Sequence, residues 1–379
     1  MRVLVDCTPL SKGGGVQVAV GFIMNLARSG EQWLAIIPSQ IVPHLPSSVS
    51  GCTNILVVEK AIHFDYLRIN LFLKNAVKDF KPDVVFTVFG PPYFLASAPH
   101  VCGFALPNMI YPPTPPLQKK SVSELVLDQV RRAILRRMDH VIVETQTVKS
   151  RLNDLLGVNC PAVSVVGNSV NPILVGYVAS NAPRTRPIGL SRILVPSAYY
   201  RHKNLELLPE ICAFLVKKLG GRKFTVSLTI PNDSPGWLAI KKRAAALGVE
   251  SFIETLGELS LERLADVYKD CDCVLLPTLR EVSTAVYPES YFFSKPLVTS
   301  DLEFARELCG DAALYAAAND AEAFADRLID VLSDPVVSAS LVAKGAHQLI
   351  AMYPTPDEKF ELQMQVLRFV SRSPRHASH

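Results

Sequence analysis

The sequence predicts an α/β protein of two doubly wound domains, each a parallel sheet wrapped by helices. Three observations predict it. Short apolar runs alternate with longer amphipathic stretches along the chain, as βαβ units require. The apolar runs lack polar alternation, as strands buried on both faces do. At 379 residues the chain is long for one hydrophobic core, so two domains are the default.

In the first half, residues 2–7, 33–38, 54–58, 83–89, 101–106, 140–143 and 162–166 read as strands. Helical patterns lie between several of them, at 16–28, 64–78, 122–138 and 147–156. The stretch 177–191, YVASNAPRTRPIGLS, is rich in Pro, Arg and small polar residues and reads as a linker. The alternation then restarts, with strands at 193–197, 224–230, 252–255, 273–277 and 297–299. Helices are expected at 204–219, 237–247, 261–269, 287–293 and 321–332. A last helix, 357–371, carries Asp357 and Glu358 in its first turn, where they suit the helix dipole. The domains are thus 1–180, 181–353, and a terminal segment 354–379 expected to pack back on the first domain. Ligands of such sheets bind at the carboxyl ends of the strands, so a site is expected in the cleft between the domains.

Composition excludes several classes. A net charge of +4 does not mark a nucleic-acid binder. The apolar run at the N-terminus is too short for a signal peptide, and no run of about 18 apolar residues could span a bilayer. A cytoplasmic protein is expected. Eight scattered cysteines lack zinc spacing and read as reduced core thiols. Residues 1–180 hold 16 Lys/Arg against 11 Asp/Glu. An anionic partner, such as the inner face of a membrane or a phosphorylated substrate, fits that excess, and so does a scattered surface charge.

Three stretches carry chemistry. In SKGGGVQVAVGFIMNLA, Gly13, Gly14 and Gly15 stand between the first strand and a helix. Successive glycines let backbone amides approach an anion. Val18 stands at the last glycine position of a dinucleotide fingerprint, and strand two ends in IIPSQ without an acid, which argues against a nicotinamide cofactor. A plain flexible loop is the alternative.

In VPSAYYRHKNLELL, a strand ends at Ser197, and Arg201, His202 and Lys203 precede Asn204, read as a helix N-cap. A lysine there can meet a diphosphate from the side while the helix start meets it end-on. A solvated basic turn is the alternative. In LREVSTAVYPESYFFSKPLVTSD, a buried strand exits at Pro277 and Thr278, Glu281 follows in the loop, and Glu289 lies inside the next helix. Ser283, Thr284 and Ala285 between them offer hydroxyls and amides. Two carboxylates that accept sugar hydroxyls, flanking an anion-binding turn, suit a nucleotide sugar. Paired surface glutamates are the alternative.

From Leu194 to about Leu332 the chain resembles the C-terminal domain of retaining glycosyltransferases of family 4, which have the GT-B fold. The resemblance runs through PSAYYRHKNLELL, ETLGELSLERLADVYKDCDCVLLPTLRE, PESYFFSKPLVTSD and ELCGDAALYA in order. The family's E-x7-E motif falls on Glu281 and Glu289, and its phosphate-binding lysine on Lys203. The loop whose backbone meets the nucleobase falls on 256–258, including Gly257 and Glu258. The first half keeps the glycine-rich loop and LPNMIYP at 106–112. Two departures stand out: Val282-Ser283-Thr284 replaces a glycine-rich turn, and Pro107-Asn108 replaces His-Asp.

The resemblance implies two Rossmann-like domains facing across a cleft, and transfer of a hexose from a nucleoside-diphosphate sugar to a glycan or lipid-linked glycan. Lys203, Glu281 and Asn108 would act at the reacting centre. Donor binding would fall to Gly14, Gly15, Ser197, Arg201, Lys203, Gly257, Glu258, Thr278, Glu281, Ser283, Thr284, Ala285 and Glu289. No acidic metal motif stands beside the donor loop, so neither metal nor cofactor is expected. Arg131, Arg132, Arg136 and Arg137 share a helix with Leu125, Val126, Val130 and Ile134, which suits a membrane-proximal acceptor or a solvated helix face. A non-catalytic nucleotide-sugar-binding subunit is the second reading, and a nicotinamide-dependent sugar enzyme the third.

Overall fold

A computed structural model describes residues 1–10, 13–59, 66–112, 117, 119–180, 189–221 and 223–372. The chain divides into two units, one of Met1–Pro113, Gln118–Gly167 and Thr355–His379, the other of Thr114–Leu117 and Asn168–Pro354. Each is built on a parallel sheet with helices in the connections.

In the first unit the strands are β1 (Arg2–Asp6), β2 (Gln32–Pro38), β3 (Ile55–Val58), β4 (Val84–Gly90), β5 (His100–Phe104), β6 (His140–Val143) and β7 (Ala162–Val165). They order as β3-β2-β1-β4-β5-β6-β7, with every pairing parallel. The inner strands β1, β4, β5 and β6 are almost wholly buried, which is why they read as continuous apolar runs. The helix Pro356–Arg372 packs in this unit. Its Phe360 ring lies 5.3 Å from Phe22, and Lys359 makes a buried 2.9 Å ion pair with Glu144 at the end of β6.

The second unit holds β8 (Ser191–Val195), β9 (Phe224–Leu228), β10 (Ile253–Thr255), β11 (Cys273–Leu276), β12 (Leu297–Ser300) and β13 (Leu314–Ala316). Their order is β10-β9-β8-β11-β12-β13, again parallel throughout. Its core joins strand residues Ile193, Val195, Val226, Leu275 and Val298 to helix residues Leu208, Ile211, Phe324 and Leu328.

Some elements differ from expectation. The three residues of β13 were too few to show a pattern, and the long helix Pro335–Met352 has only two buried residues, Leu341 and Gly345, so it lacked an apolar stripe. Pro172–Ser180 is helical and falls in the second unit, not the first. Its even apolar content hid its period. Of the expected linker, residues 181–188 lie outside the described residues, as do Ser11, Lys12, the expected helix start at Phe64 and the end of the terminal segment from 373.

Asn204 is not the cap of a long helix. It adopts the left-handed conformation (φ 57°) between two 3₁₀ turns, and the α-helix begins at Leu208. Asn tolerates that conformation better than most residues, and its side-chain amide donates to Asn319 Oδ1 at 3.2 Å. The cysteines are all free, and Cys271 and Cys273 are buried in the core. No helix of the described residues is long and apolar enough to cross a membrane.

Candidate functional site

Parallel pairing puts the carboxyl ends of β8 to β13 on one edge of the second sheet. The chain leaves β8 for β9 on one side, while β11 on the other side leads on to β12. The loops after β8 and β11 therefore part in opposite directions, which opens a crevice at that point of an α/β sheet. Lys203 lies on the loop after β8 and Glu281 on the loop after β11.

These two loops are stitched together. The carbonyl of His202 accepts from Leu279 N at 2.7 Å and stands 2.9 Å from the Thr278 hydroxyl. Lys203 Nζ donates to Glu281 Oε1 at 2.5 Å, and Thr278 Oγ1 lies 2.9 Å from the same oxygen. Glu281 and Thr278 are buried. His202 Nε2 is 3.9 Å from Glu281 Oε2, and its ring stacks on Tyr200 at 5.4 Å. Burial pushes the His202 imidazole down to about 4, with Lys203 and Arg280 adding to the effect against the pull of Glu281. It is therefore neutral near pH 7.

Glu289 has a separate partner. It sits on the first turn of the helix Val286–Phe292, 6% exposed. Tyr268, on the helix Leu261–Asp270, donates its hydroxyl to Glu289 Oε2 at 2.9 Å. Burial raises the Glu289 carboxyl to about 7, partly offset by that hydrogen bond. The Tyr268 ring stacks on Phe293 at 4.8 Å. Gly345 passes so near Tyr291 that a Cβ there would lie 2.7 Å from the ring, which seats the helix Pro335–Met352 against the one that carries Glu289.

Between the two glutamates, Val282 is buried, and the Ser283 hydroxyl is buried without a hydrogen-bond partner in the described structure. Such an orphaned group calls for a ligand or water. Thr284 Oγ1 accepts from Val286 N at 3.4 Å, which keeps its own proton free to donate, and Ala285 O accepts from Glu289 N. Ser197 N donates to Thr229 Oγ1 at 3.0 Å, tying the β8 and β9 exits. Arg201 is exposed on the 3₁₀ turn Arg201–Lys203. Gly257 needs its left-handed φ of 75° and donates to Thr255 Oγ1, and Glu258 beside it is exposed.

The structure thus brings Lys203, Glu281, Thr278 and His202 into contact, and gives Glu289 to Tyr268. Gly14, Gly15 and Asn108 belong to the first unit, at the exits of β1 and β5. Gly14 opens the helix Gly14–Arg28 and is exposed, whereas a Cβ on Gly15 would sit 3.0 Å from the Leu10 side chain, a tight contact that favours a small residue there. Asn108 is exposed on the short helix Pro107–Ile110.

Two residues escaped sequence reasoning. Tyr268 had a signal, since it closes the stripe Leu261, Leu264, Ala265 and Tyr268, and a buried tyrosine hydroxyl needs a partner. Arg280 is half-buried with its Nε unpaired in the described structure, and burial lowers its pKa. A cation adjoining Glu281 was its only mark.

Residues 191–334 match the family model described as glycosyl transferases group 1. No curated protein matches the sequence. Among solved structures, sucrose-phosphate synthase from Thermosynechococcus elongatus is similar at TM-score 0.77 and 15% identity, covering 98% of this chain and 99% of that one. A glycosyltransferase from Rickettsia africae gives TM-score 0.73 at 16% identity, covering 98% and 99%. An E. coli trehalose-6-phosphate structure bound with UDP-2-fluoro glucose gives 0.71 at 14%, covering 99% and 100%. At these identities the likeness is one of fold, and that fold is two Rossmann-like domains of the GT-B kind.

Proposed function

We propose that the protein is a retaining, metal-independent hexosyltransferase of family 4 type. It moves a hexose from a nucleoside-diphosphate sugar to a hydroxyl of a glycan or lipid-linked glycan, in polysaccharide or O-antigen type biosynthesis in the cytoplasm. The observation that carries the reading is the Lys203–Glu281 pair at the point where the strand order of the second sheet reverses. A partly buried lysine paired there with a buried glutamate suits a diphosphate and the sugar it carries. The family match over the same residues and the fold shared with glycosyltransferases support glycosyl transfer in general.

In this reading Lys203 stabilises the charge that builds on the diphosphate as the bond to the sugar C1 breaks. Arg201, Arg280 and the unpaired Ser283 hydroxyl add donors, with Thr284 and the Ala285 amide beside them. Glu281 holds Lys203 and accepts from hexose hydroxyls, and Thr278 fixes its carboxylate. Glu289 grips the ribose, and the backbone at Ser197, Gly257 and Glu258 borders the base. The acceptor hydroxyl attacks C1, and its proton leaves with the diphosphate. The acceptor is assigned to the first unit, with Asn108 and the Gly14–Gly15 turn. The neutralising role is given to cationic side chains, Lys203 foremost.

A second reading, a nucleotide-sugar-binding subunit without turnover, is favoured by Val282-Ser283-Thr284 and by the neutral Pro107-Asn108. Incubation with a panel of nucleotide sugars and glycan acceptors, followed by NMR of the product anomer, separates the two. Transfer with the donor's anomeric configuration kept is expected. Inversion contradicts the retaining mechanism, and donor binding without transfer or hydrolysis across the panel supports the second reading.

A further inference from the structure

The helix Val122–Leu135 of the first unit is amphipathic the wrong way round. Its buried positions are Asp128 and Leu135, and Asp128 is held by Lys120 and by Arg131. Its outward face is mainly aliphatic: Val122, Val126 and Val130 are 77%, 59% and 50% exposed, Leu125 and Leu127 are exposed beside them, and Ser123 and Gln129 are the polar members of that face. At 100° per residue the three valines form one stripe, four positions apart. Ile134, next in the stripe, forms a wall of an open and mainly apolar groove of about 270 Å³, with Lys74, Tyr93, Phe94 and Leu95 among its other walls. An exposed apolar surface of this kind marks an interaction site.

The charges around the stripe say what covers it. No position of the valine stripe is a carboxylate: Glu124 is exposed but lies on the Asp128 side of the helix, four positions before it, in a capping box with Ser121, and Asp128 is buried. Exposed Lys119 precedes the helix and exposed Arg136 and Arg137 follow it. An aliphatic strip with cations at both ends fits the headgroup boundary of an anionic bilayer, where apolar side chains enter and cations meet phosphates. A second copy of the chain fits poorly. Antiparallel pairing about a twofold axis would set Lys119 against Arg137, like charge against like.

We infer that the outward face of the Val122–Leu135 helix, continued by the groove at Ile134, docks the protein on an anionic membrane surface. This inference does not depend on the proposed catalytic activity, and its test uses no substrate.

Full-length protein is sedimented with vesicles of phosphatidylcholine alone or mixed with phosphatidylglycerol. The wild type is expected to pellet with the mixed vesicles, and added salt should weaken this. Val126→Glu/Val130→Glu should lower the partition coefficient at least about tenfold, since two carboxylates would enter the apolar layer. Lys119→Gln/Arg137→Gln should lower it about fivefold per cation removed. These side chains are on the surface, so both variants should keep the wild-type circular dichroism and melting midpoint. Wild-type protein that stays in the supernatant, or a valine double variant that pellets as well as wild type, overturns the proposal. A concentration-dependent dimer that the valine substitutions abolish, without vesicle binding, also overturns it and assigns the face to a second copy.

Discussion

Lys203→Ala should lower turnover by about 100- to 1000-fold, the cost of removing one charged donor from a leaving group, about 2.7–4 kcal/mol. The ammonium is bonded to Glu281 at 2.5 Å beneath the loops leaving β8 and β11, so its position is set before any substrate arrives. A donor held in place need not reorganise as charge develops, which is why its loss should appear in kcat and in kcat/KM alike. The fold should survive the change. Glu281 keeps the Thr278 hydroxyl at 2.9 Å. Steady-state kinetics with the donor found in the panel, beside a melting curve, reads both quantities. A loss in KM alone would assign Lys203 to uniform binding instead.

Affinity for the nucleotide sugar should rise about tenfold between pH 6 and pH 8, and Glu289→Gln should flatten that rise. The carboxyl of Glu289 is raised to about 7 by burial, so its ionised fraction climbs across this range, and the carboxylate accepts two ribose hydroxyls where the acid accepts less well. A nucleotide sugar, unlike a free nucleoside diphosphate, has no phosphate proton to lose in the same window. Tyr268→Phe, which removes the hydrogen bond that favours the carboxylate, should move the rise to higher pH.

Stability should run the other way. A folded-state pKa above the unfolded 4.5 means that the native chain binds the extra proton between about 4.5 and 7. The contribution of Glu289 is therefore complete below the lower value and is lost as pH rises through the upper one, on the order of 3 kcal/mol in all. Denaturant unfolding of wild type and Glu289→Gln at several pH values isolates this. His202, lowered to about 4, acts with the opposite sign but equally in both proteins. A constant difference between the two proteins across the range would remove the buried-acid account.

Much of this was legible in the residues because local signals agreed with one another. Strands buried on both faces, such as VVFTVFG at Val84–Gly90 and CVLL at Cys273–Leu276, show as apolar runs without polar alternation, and their alternation with helices gives the doubly wound class. Lys203 and Glu281 were visible because each follows a strand end. Their contact was not, since it depends on β8 and β11 being neighbours across 78 positions of sequence. Asn204 misled for a related reason. The same side chain serves as a helix cap or supports a left-handed turn, and packing against Asn319, 115 positions on, decides between them. The reversed amphipathicity of Val122–Leu135 was half visible. The sequence showed an apolar face, and only the burial of Asp128 shows that this face looks outward.

The central claim is that the carboxyl edge of the second sheet grips a diphosphate through Lys203. Calorimetric titration of the wild type and Lys203→Ala with UDP, GDP, dTDP and ADP and their monophosphates tests it directly. At least one diphosphate should bind the wild type more tightly than its monophosphate, and the substitution should erase that preference. No diphosphate binding, or a preference undiminished in Lys203→Ala, would contradict the account.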